Sequence, residues 1–250
     1  MNVRLLNGTE NPEVEVCRAA RNDYRAEGVI DYDFEEVMGA IDADEEHLGS
    51  GLGVHEARKR TLIDDLMGDY HWGPFEHPQA IVAIEDVTRV LTHQLVRHRH
   101  FSYDQQSLRY VEVDDVEDVF DQFQMPEFRG GEAFDVDREG VHEIEDHDRV
   151  EMLYRDAYNE AVHYYQLLLD QGVPREQARK VLPMGTKTNI VMSGNARAWM
   201  HILHVRRKAD VQGETRRCAE AIFEELKEWM PYTFERYDEM QGKQLKGLCP

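Results

Sequence analysis

The chain has 250 residues, 41% of them hydrophobic, and sets 50 acids against 29 bases for a formal net charge of −21. That length covers one large domain or two small ones and suffices for a real core, while the charge excludes a nonspecific nucleic-acid binder, whose phosphate contacts need a basic surface. Self-repulsion at this charge is tolerable where salt shortens the Debye length, to about 3 Å near 1 M, so the composition points to a salt-loving source organism, with an ordinary acidic cytosolic protein as the alternative.

Cys17, Cys218 and Cys249 are far apart and lack metal-ligand spacing, which reads as reduced thiols in the cytoplasm. No signal-like N-terminus or long apolar run is present, so neither secretion nor a membrane span is expected.

Residues 3–6 predict a short strand. Asn11-Pro12-Glu13 predicts a helix start, with Asn11 as cap and Pro12 at the first position, and Val16, Ala19 and Ala20 as its apolar side. A second helix is expected over 33–41. The glycines of 49–53 form a loop, but no apolar strand precedes it and the spacing is no dinucleotide fingerprint. A helix over 54–67 turns Ala57, Leu62, Ile63 and Leu66 inward. His71-Trp72-Gly73-Pro74-Phe75-Glu76-His77 reads as a Gly-Pro turn with aromatic packing, or as two histidines and a glutamate available to a metal. Residues 79–86 read as a mostly buried strand.

Val87, Val90, Leu91 and Leu95 recur at helical spacing and predict a helix over 87–97. Arg97, His98 and Arg99 fall at its C-terminal end, where positive charge suits the helix dipole. The stretch 97–110 holds three arginines, two histidines and two serines in a very acidic protein. Such a cluster of fixed charge suggests a pocket for an anionic ligand, since arginine's planar fork matches phosphates and uracil-like carbonyls. Ser107 and Arg109 alternate with Leu108 and Tyr110 as on the polar face of a strand.

Residues 112–151 hold sixteen acids against three arginines and read as an acidic surface excursion. A long helix is expected over 150–171 with an apolar stripe of Leu153, Ala157, Ala161, Tyr164 and Leu168, stopped at Gly172. Residues 173–183 form a short helix between prolines, and 186–192 a strand. Asn195 caps a helix whose apolar side is Ala198, Trp199, Ile202 and Leu203, with Arg197, His201 and His204 in a polar stripe. A last helix runs over 214–229, and the aromatic segment 231–237 is expected to pack against the core.

Arg97-His98-Arg99 followed after seven residues by Ser107, with Gln94 before it, Ser102 inside it and Arg109-Tyr110 after it, resembles the signature of the flavin-dependent thymidylate synthases. Three further segments resemble the family in the right order: 71–77, 175–183 and 195–206. Two departures stand out. Gly73 replaces a frequent Thr or Ser, and Gln212-Gly213-Glu214 replaces a frequent Gln-Trp-Glu.

The resemblance implies an α+β fold, an antiparallel sheet with flanking helices, in a single domain over 1–250 with the acidic excursion around 112–149. It implies a homotetramer with shared sites, which methylates dUMP to dTMP using 5,10-methylenetetrahydrofolate, NADPH and bound FAD. Carried over residue by residue, Arg206 stabilises charge on the uracil, and Gln94, Leu95, Val96, Arg97, Gln105, Gln106, Ser107, Leu108, Arg109 and Arg179 surround the nucleotide. Gly73, Arg97, His98, Arg99, Gln105, Asn195, Ala196, Arg197 and His201 hold FAD, and His71 helps admit or position folate and flavin. Ser107 is the family's active-site serine, but no base adjoins it in sequence, so it is assigned to binding and orientation. The rival readings are a non-catalytic nucleotide-binding module on the same arginines and, weaker, a histidine-based metal enzyme.

Overall fold

Four antiparallel strands, β1 (Asn2–Gly8), β2 (Gln79–Thr88), β3 (Ser102–Gln105) and β4 (Lys187–Asn195), form one sheet in the order β1-β2-β4-β3. The structure, a computed structural model, describes residues 1–24, 28–30, 33–39, 41–111, 113, 118–125 and 146–242. Side chains alternate across a strand, and in β2 this buries Ala80, Val82 and Ile84 completely while Ile81 and Ala83 stay half-buried. In β4, Thr188, Ile190 and Met192 turn to the same core. The β2–β4 register slips between Ile84 and Val87. There Asp86 takes a left-handed φ of 57°, and its carboxylate meets the Met1 amine at 2.9 Å and Lys187 at 3.0 Å. The outer strand β1 also slips, between Leu5 and Asn7. Glu225 accepts the Leu5 amide at 2.7 Å, and the Trp229 indole donates to the Thr9 carbonyl.

Helices α1 (Pro12–Asp23), α2 (Phe34–Gly39), α3 (Glu45–Gly49) and α4 (Val54–Gly68) lie between β1 and β2. The short α5 (Arg89–Leu95) joins β2 to β3, and α6 (His147–Asp170) and α7 (Arg175–Ala178) precede β4. The chain then runs through α8 (Ala196–Arg206), α9 (Gly213–Trp229) and α10 (Pro231–Gly242). The main core sets the sheet against α1, α4, α8, α9 and α10, around Trp199, Phe75, Phe234 and Tyr237. A separate cluster under α6 contains Leu108, Phe123, Tyr158, Val162, Tyr165 and Ala178. Among the described residues no helix is long and apolar enough to cross a membrane. Cys17 and Cys218 are buried free thiols, pushed up to about 12 mainly by burial, whereas Cys249 lies outside the described residues.

The fold corrects the sequence reading at several points. Asn11 precedes α1 as expected, but in a left-handed conformation (φ 48°) and with no side-chain cap; asparagine tolerates that region, and here it turns the strand into the helix. The predicted helix over 87–97 is shorter, because Val87 and Thr88 still belong to β2 and pair with Thr188 and Lys187. Thr88 caps α5 by accepting the Leu91 amide. Ser107 and Arg109 do not share a strand face: β3 ends at Gln105, and Ser107 opens a turn whose carbonyl accepts from Tyr110 and Val111. Helix α6 is present, but its buried face is Tyr158, Val162 and Tyr165, while Leu153 and Tyr164 are 58% and 55% exposed. Tyr158 stacks on Phe123 with centroids 4.7 Å apart, so aromatic rings with polar tips form the inward stripe. Gly172 ends α6 at φ 80°, its amide bonded to Leu169 and that of Val173 to Leu168, a Schellman closure. The acidic excursion falls largely on 112, 114–117 and 126–145, outside the described residues. At its flanks, a 3₁₀ turn (Val119–Asp121) leads to Phe123, which bridges to Thr186.

Two buried contacts fix the parts that carry the site. Glu214, at the start of α9, accepts the Thr88 amide at 2.8 Å and its hydroxyl at 2.6 Å, which ties α9 to the beginning of α5. Gly194, near the end of β4, lies under Phe101, and a Cβ there would meet the ring at 2.5 Å. Phe101 in turn packs edge-on against Trp199 at 4.6 Å. Gly194→Ala is expected to lose about 1–3 kcal/mol through overpacking, read by denaturant unfolding at constant salt, and Phe101→Leu in the same chain should recover part of it.

Candidate active site

Three groups of side chains lie around α5 and α8. The first surrounds Arg206, the last residue of α8. Its Nε donates to His98 Nε2 at 2.9 Å, its Nη2 to the Gln94 carbonyl at 3.0 Å and its Nη1 to Gln94 Oε1 at 3.4 Å. A guanidinium only donates, so His98 Nε2 carries no proton. Burial, then the charge of Arg206, then His201 hold His98 down at about 4. Burial, then Arg97, lower the pKa of Arg206 as well. The Tyr103 hydroxyl lies 2.6 Å from the Leu95 carbonyl and 2.8 Å from that of His98 and shares its proton between them. That bond closes the turn carrying Arg97 and Arg99 outward, both exposed, around the buried His98.

The second group lines a cavity of about 280 Å³ formed by Glu76, His100, Asn195, Arg197, Ala198 and His201. Asn195 caps α8 by accepting the Ala198 amide, which satisfies one of the helix's first amides at the edge of the cavity. Arg197 is paired with Glu76, and the Ala196 amide bonds to the Pro78 carbonyl. His98 and His201 rings stand edge to face at 5.8 Å, so the second group adjoins the first.

The third group sits at the other end of α5. Arg89 donates to the Gln106 carbonyl at 3.2 Å, while its buried Nε has no partner among the described residues. Burial, then the nearby charge of Arg179, lower its pKa. Gln105 reaches Thr188 at 3.4 Å, and Ser107 Oγ accepts the Arg109 amide at 3.3 Å. Arg109 pairs with Glu176 at 3.5 Å, both well exposed. Two arginines held close despite mutual repulsion, in a chain of charge −21, leave local positive charge for an anion.

Residues 4–232 match the family model described as thymidylate synthase complementing protein. A flavin-dependent thymidylate synthase of Haloarcula marismortui is 42% identical over 97% of this chain and 98% of its own length. One of Halobacterium salinarum is 38% identical over 100% of both. The chain belongs to the flavin-dependent thymidylate synthase family. The fold agrees: the crystal structure of a UMP/dUMP methylase, PolB from Streptomyces cacaoi, bound with 5-Br dUMP, superposes with a TM-score of 0.69 at 29% identity, over 95% of this chain and 94% of that one. Two of these relatives come from halophilic archaea, in keeping with the salt adaptation read from the charge.

Against this family background, the residues named from sequence fall into distinct places. Gln94, Arg97, His98 and Arg206 come together, as do Asn195, Ala196, Arg197 and His201. Gln105, Gln106, Ser107, Arg109 and Arg179 gather at the far end of α5. Leu95 and Leu108 are buried core residues, with Val96 exposed between helix and turn. Arg99 is exposed beside them. His71 is exposed and pairs with the Tyr24 hydroxyl at 2.9 Å. Gly73 opens the 3₁₀ turn Gly73–Glu76 with open space where a Cβ would stand. Among the described residues no group of three or more His, Cys, Asp or Glu is arranged to hold a metal.

Sequence reasoning missed Arg89 and Tyr103; it had Glu76 only as a possible metal ligand, His100 only within the cationic stretch 97–110, and Gln212 only as a departure from the family pattern. Arg89 was hidden by counting 87–97 as one amphipathic helix, though a charge at a helix start opposes the dipole and marks a position kept for another reason. Tyr103 and Gln212 act through contacts that no local spacing encodes. His98 gives a pH test. In the unfolded chain it takes a proton near 6.5, in the folded chain only near 4. Its stabilising contribution is therefore full above about 6.5, is lost as pH falls, and is gone by about 4. Melting temperatures at constant salt should fall more steeply over that window for the wild type than for His98→Gln, whose amide oxygen accepts from Arg206 without titrating. Parallel curves would contradict a neutral His98.

Proposed function

We propose that this protein converts dUMP to dTMP, taking the carbon from 5,10-methylenetetrahydrofolate and electrons from NADPH, with FAD as its resident cofactor. The observation that carries the reading is the half-buried Arg206, held by a neutral histidine and by Gln94 rather than by a carboxylate. Three of its five N–H donors are engaged, which leaves two, and among the described residues no acid neutralises its charge. Aimed at a uracil carbonyl, such a preorganised donor stabilises the negative charge that develops when C5 becomes nucleophilic. Family membership supports the same reading, as does the 5-Br dUMP bound by the S. cacaoi relative.

The other residues take binding roles. Arg89, Arg109 and Arg179 attract the nucleotide phosphate, Gln105, Gln106 and Ser107 orient it, and Gln94 and Arg97 meet it from the Arg206 side. Arg197, His201 and His100 suit the anionic and polar parts of FAD, with His98 and Arg99 beside them. FAD, when bound, supplies hydride transfer. Small-molecule pockets span roughly 300–1,000 Å³, so a cavity of about 280 Å³ takes only part of a dinucleotide. The remainder would lie against a second subunit, which fits the homotetramer with shared sites that the resemblance implies. The exposed Met152, Leu153, Tyr164 and Leu167 of α6 offer an apolar face for such contact.

Tritium release from 5-labelled dUMP, with folate, NADPH and FAD present at high salt, tests the assignment. A purified protein that gains no flavin absorbance on adding FAD would instead favour a nucleotide-binding module. Arg206→Ala is expected to lower turnover at least about a hundredfold while flavin absorbance remains; wild-type turnover in that variant would remove Arg206 from the mechanism.

Ser107 yields the opposite expectation. Its hydroxyl faces the Arg109 amide, and none of its contacts among the described residues is with a base able to take its proton. Ser107→Ala should lose one hydrogen bond to a charged group, about 1.5–3 kcal/mol, or roughly ten- to hundredfold, and should still make dTMP when dUMP is raised. A dead variant together with a dUMP adduct on Ser107, detected by mass spectrometry, would reverse the assignment to nucleophile.

A further inference from the structure

The segment Gln212-Gly213-Glu214 touches α5 at both ends. Glu214 holds Thr88 at the helix start through two buried hydrogen bonds. At the other end the Gln94 carboxamide donates its Nε2 proton to Gln212 Oε1. The same segment follows α8, whose last residue is Arg206. Its backbone is itself fixed: the Val211 amide bonds to Lys208, and the Gln212 carbonyl accepts Arg216 at the start of α9.

The amide of Gln94 has one acceptor end and one donor end. Arg206 has donors only, so the two residues attract when Gln94 Oε1 faces the guanidinium and repel when the amide is flipped. An acceptor on the opposite side, at Gln212, selects the attractive orientation. We propose that Gln212 is a positioning residue for Arg206, acting through the orientation of the Gln94 amide while Glu214 keeps α5 from shifting. The proposal rests on the role given to Arg206 above.

The test is a double-mutant cycle on the full chain with FAD bound, at high salt. Gln212→Met keeps the length and removes the acceptor. It is expected to reduce kcat for dTMP about three- to tenfold, the effect of one neutral hydrogen bond, with melting temperature and flavin absorbance unchanged. Gln212→Glu restores an acceptor and should recover most of the loss. With Gln94→Met already in place, adding Gln212→Met should change nothing further. The four proteins of the cycle, wild type, Gln212→Met, Gln94→Met and the double variant, are also compared for dUMP affinity by calorimetry, which reads the placement of Arg206 without turnover. Additive effects, or a Gln212→Glu variant as impaired as Gln212→Met, would overturn the positioning role. A wild type that binds dUMP with the expected coupling but makes no dTMP would support the positioning and defeat the proposed reaction. A wild type that does not bind dUMP would defeat both.

Discussion

Arg206 has nothing but donors, and its surroundings are arranged to accept. The backbone carbonyl and amide oxygen of Gln94 take two of its protons, and His98 can take the third only by remaining neutral. A carboxylate would have satisfied the guanidinium more strongly, but would also have cancelled its charge. Neutral acceptors orient the group and keep its field available to a ligand. This requirement propagates outward: His98 must be buried, the turn around it must be closed, and Tyr103 closes it through the carbonyls of Leu95 and His98.

Helix α5 converts that local demand into an arrangement of the whole site. It has only seven residues, too few to hold a helix together on its own. Its N-terminus is gripped by Glu214, its first two amides bond to Thr186 and Met184, and Leu91 and Leu95 anchor its buried side. Held in this way, it separates the Arg206 group from the Arg89–Arg179 group by about 7.5 Å of helix, five residues at 1.5 Å each. The position of one cationic group thereby sets the position of the other.

Much of this was legible in the sequence because the informative residues are close along the chain. The Asn195 cap and the alternation of β2 depend on neighbours a few residues away, and these came through, as did the family resemblance carried by the Arg97–Tyr110 spacing. The failures share a cause. Ser107 and Arg109 alternate like strand residues, but strand pairing requires a partner, and β4 offers β3 only the positions from Ile190 to Ser193. The inward face of α6 depends on Phe123 waiting for Tyr158, a contact 35 residues away that hydrophobic spacing does not record. The contacts of Gln212 with Gln94 and of Arg89 with Gln106 likewise join residues far apart in the chain.

The treatment of β1 carries a consequence for life in concentrated salt. A charge of −21 keeps molecules apart in dilute buffer, but at molar ionic strength that repulsion reaches only about 3 Å. An outer strand then has to be guarded by shape, because its free amides invite another chain to add on. The slip between Leu5 and Asn7 breaks the straight run of donors, Glu225 occupies the Leu5 amide, and Trp229 takes the Thr9 carbonyl just beyond the strand. The opposite margin, β3, is only four residues long. Resistance to fibrous association is thus built into the outline of the sheet and persists where electrostatic solubility fades.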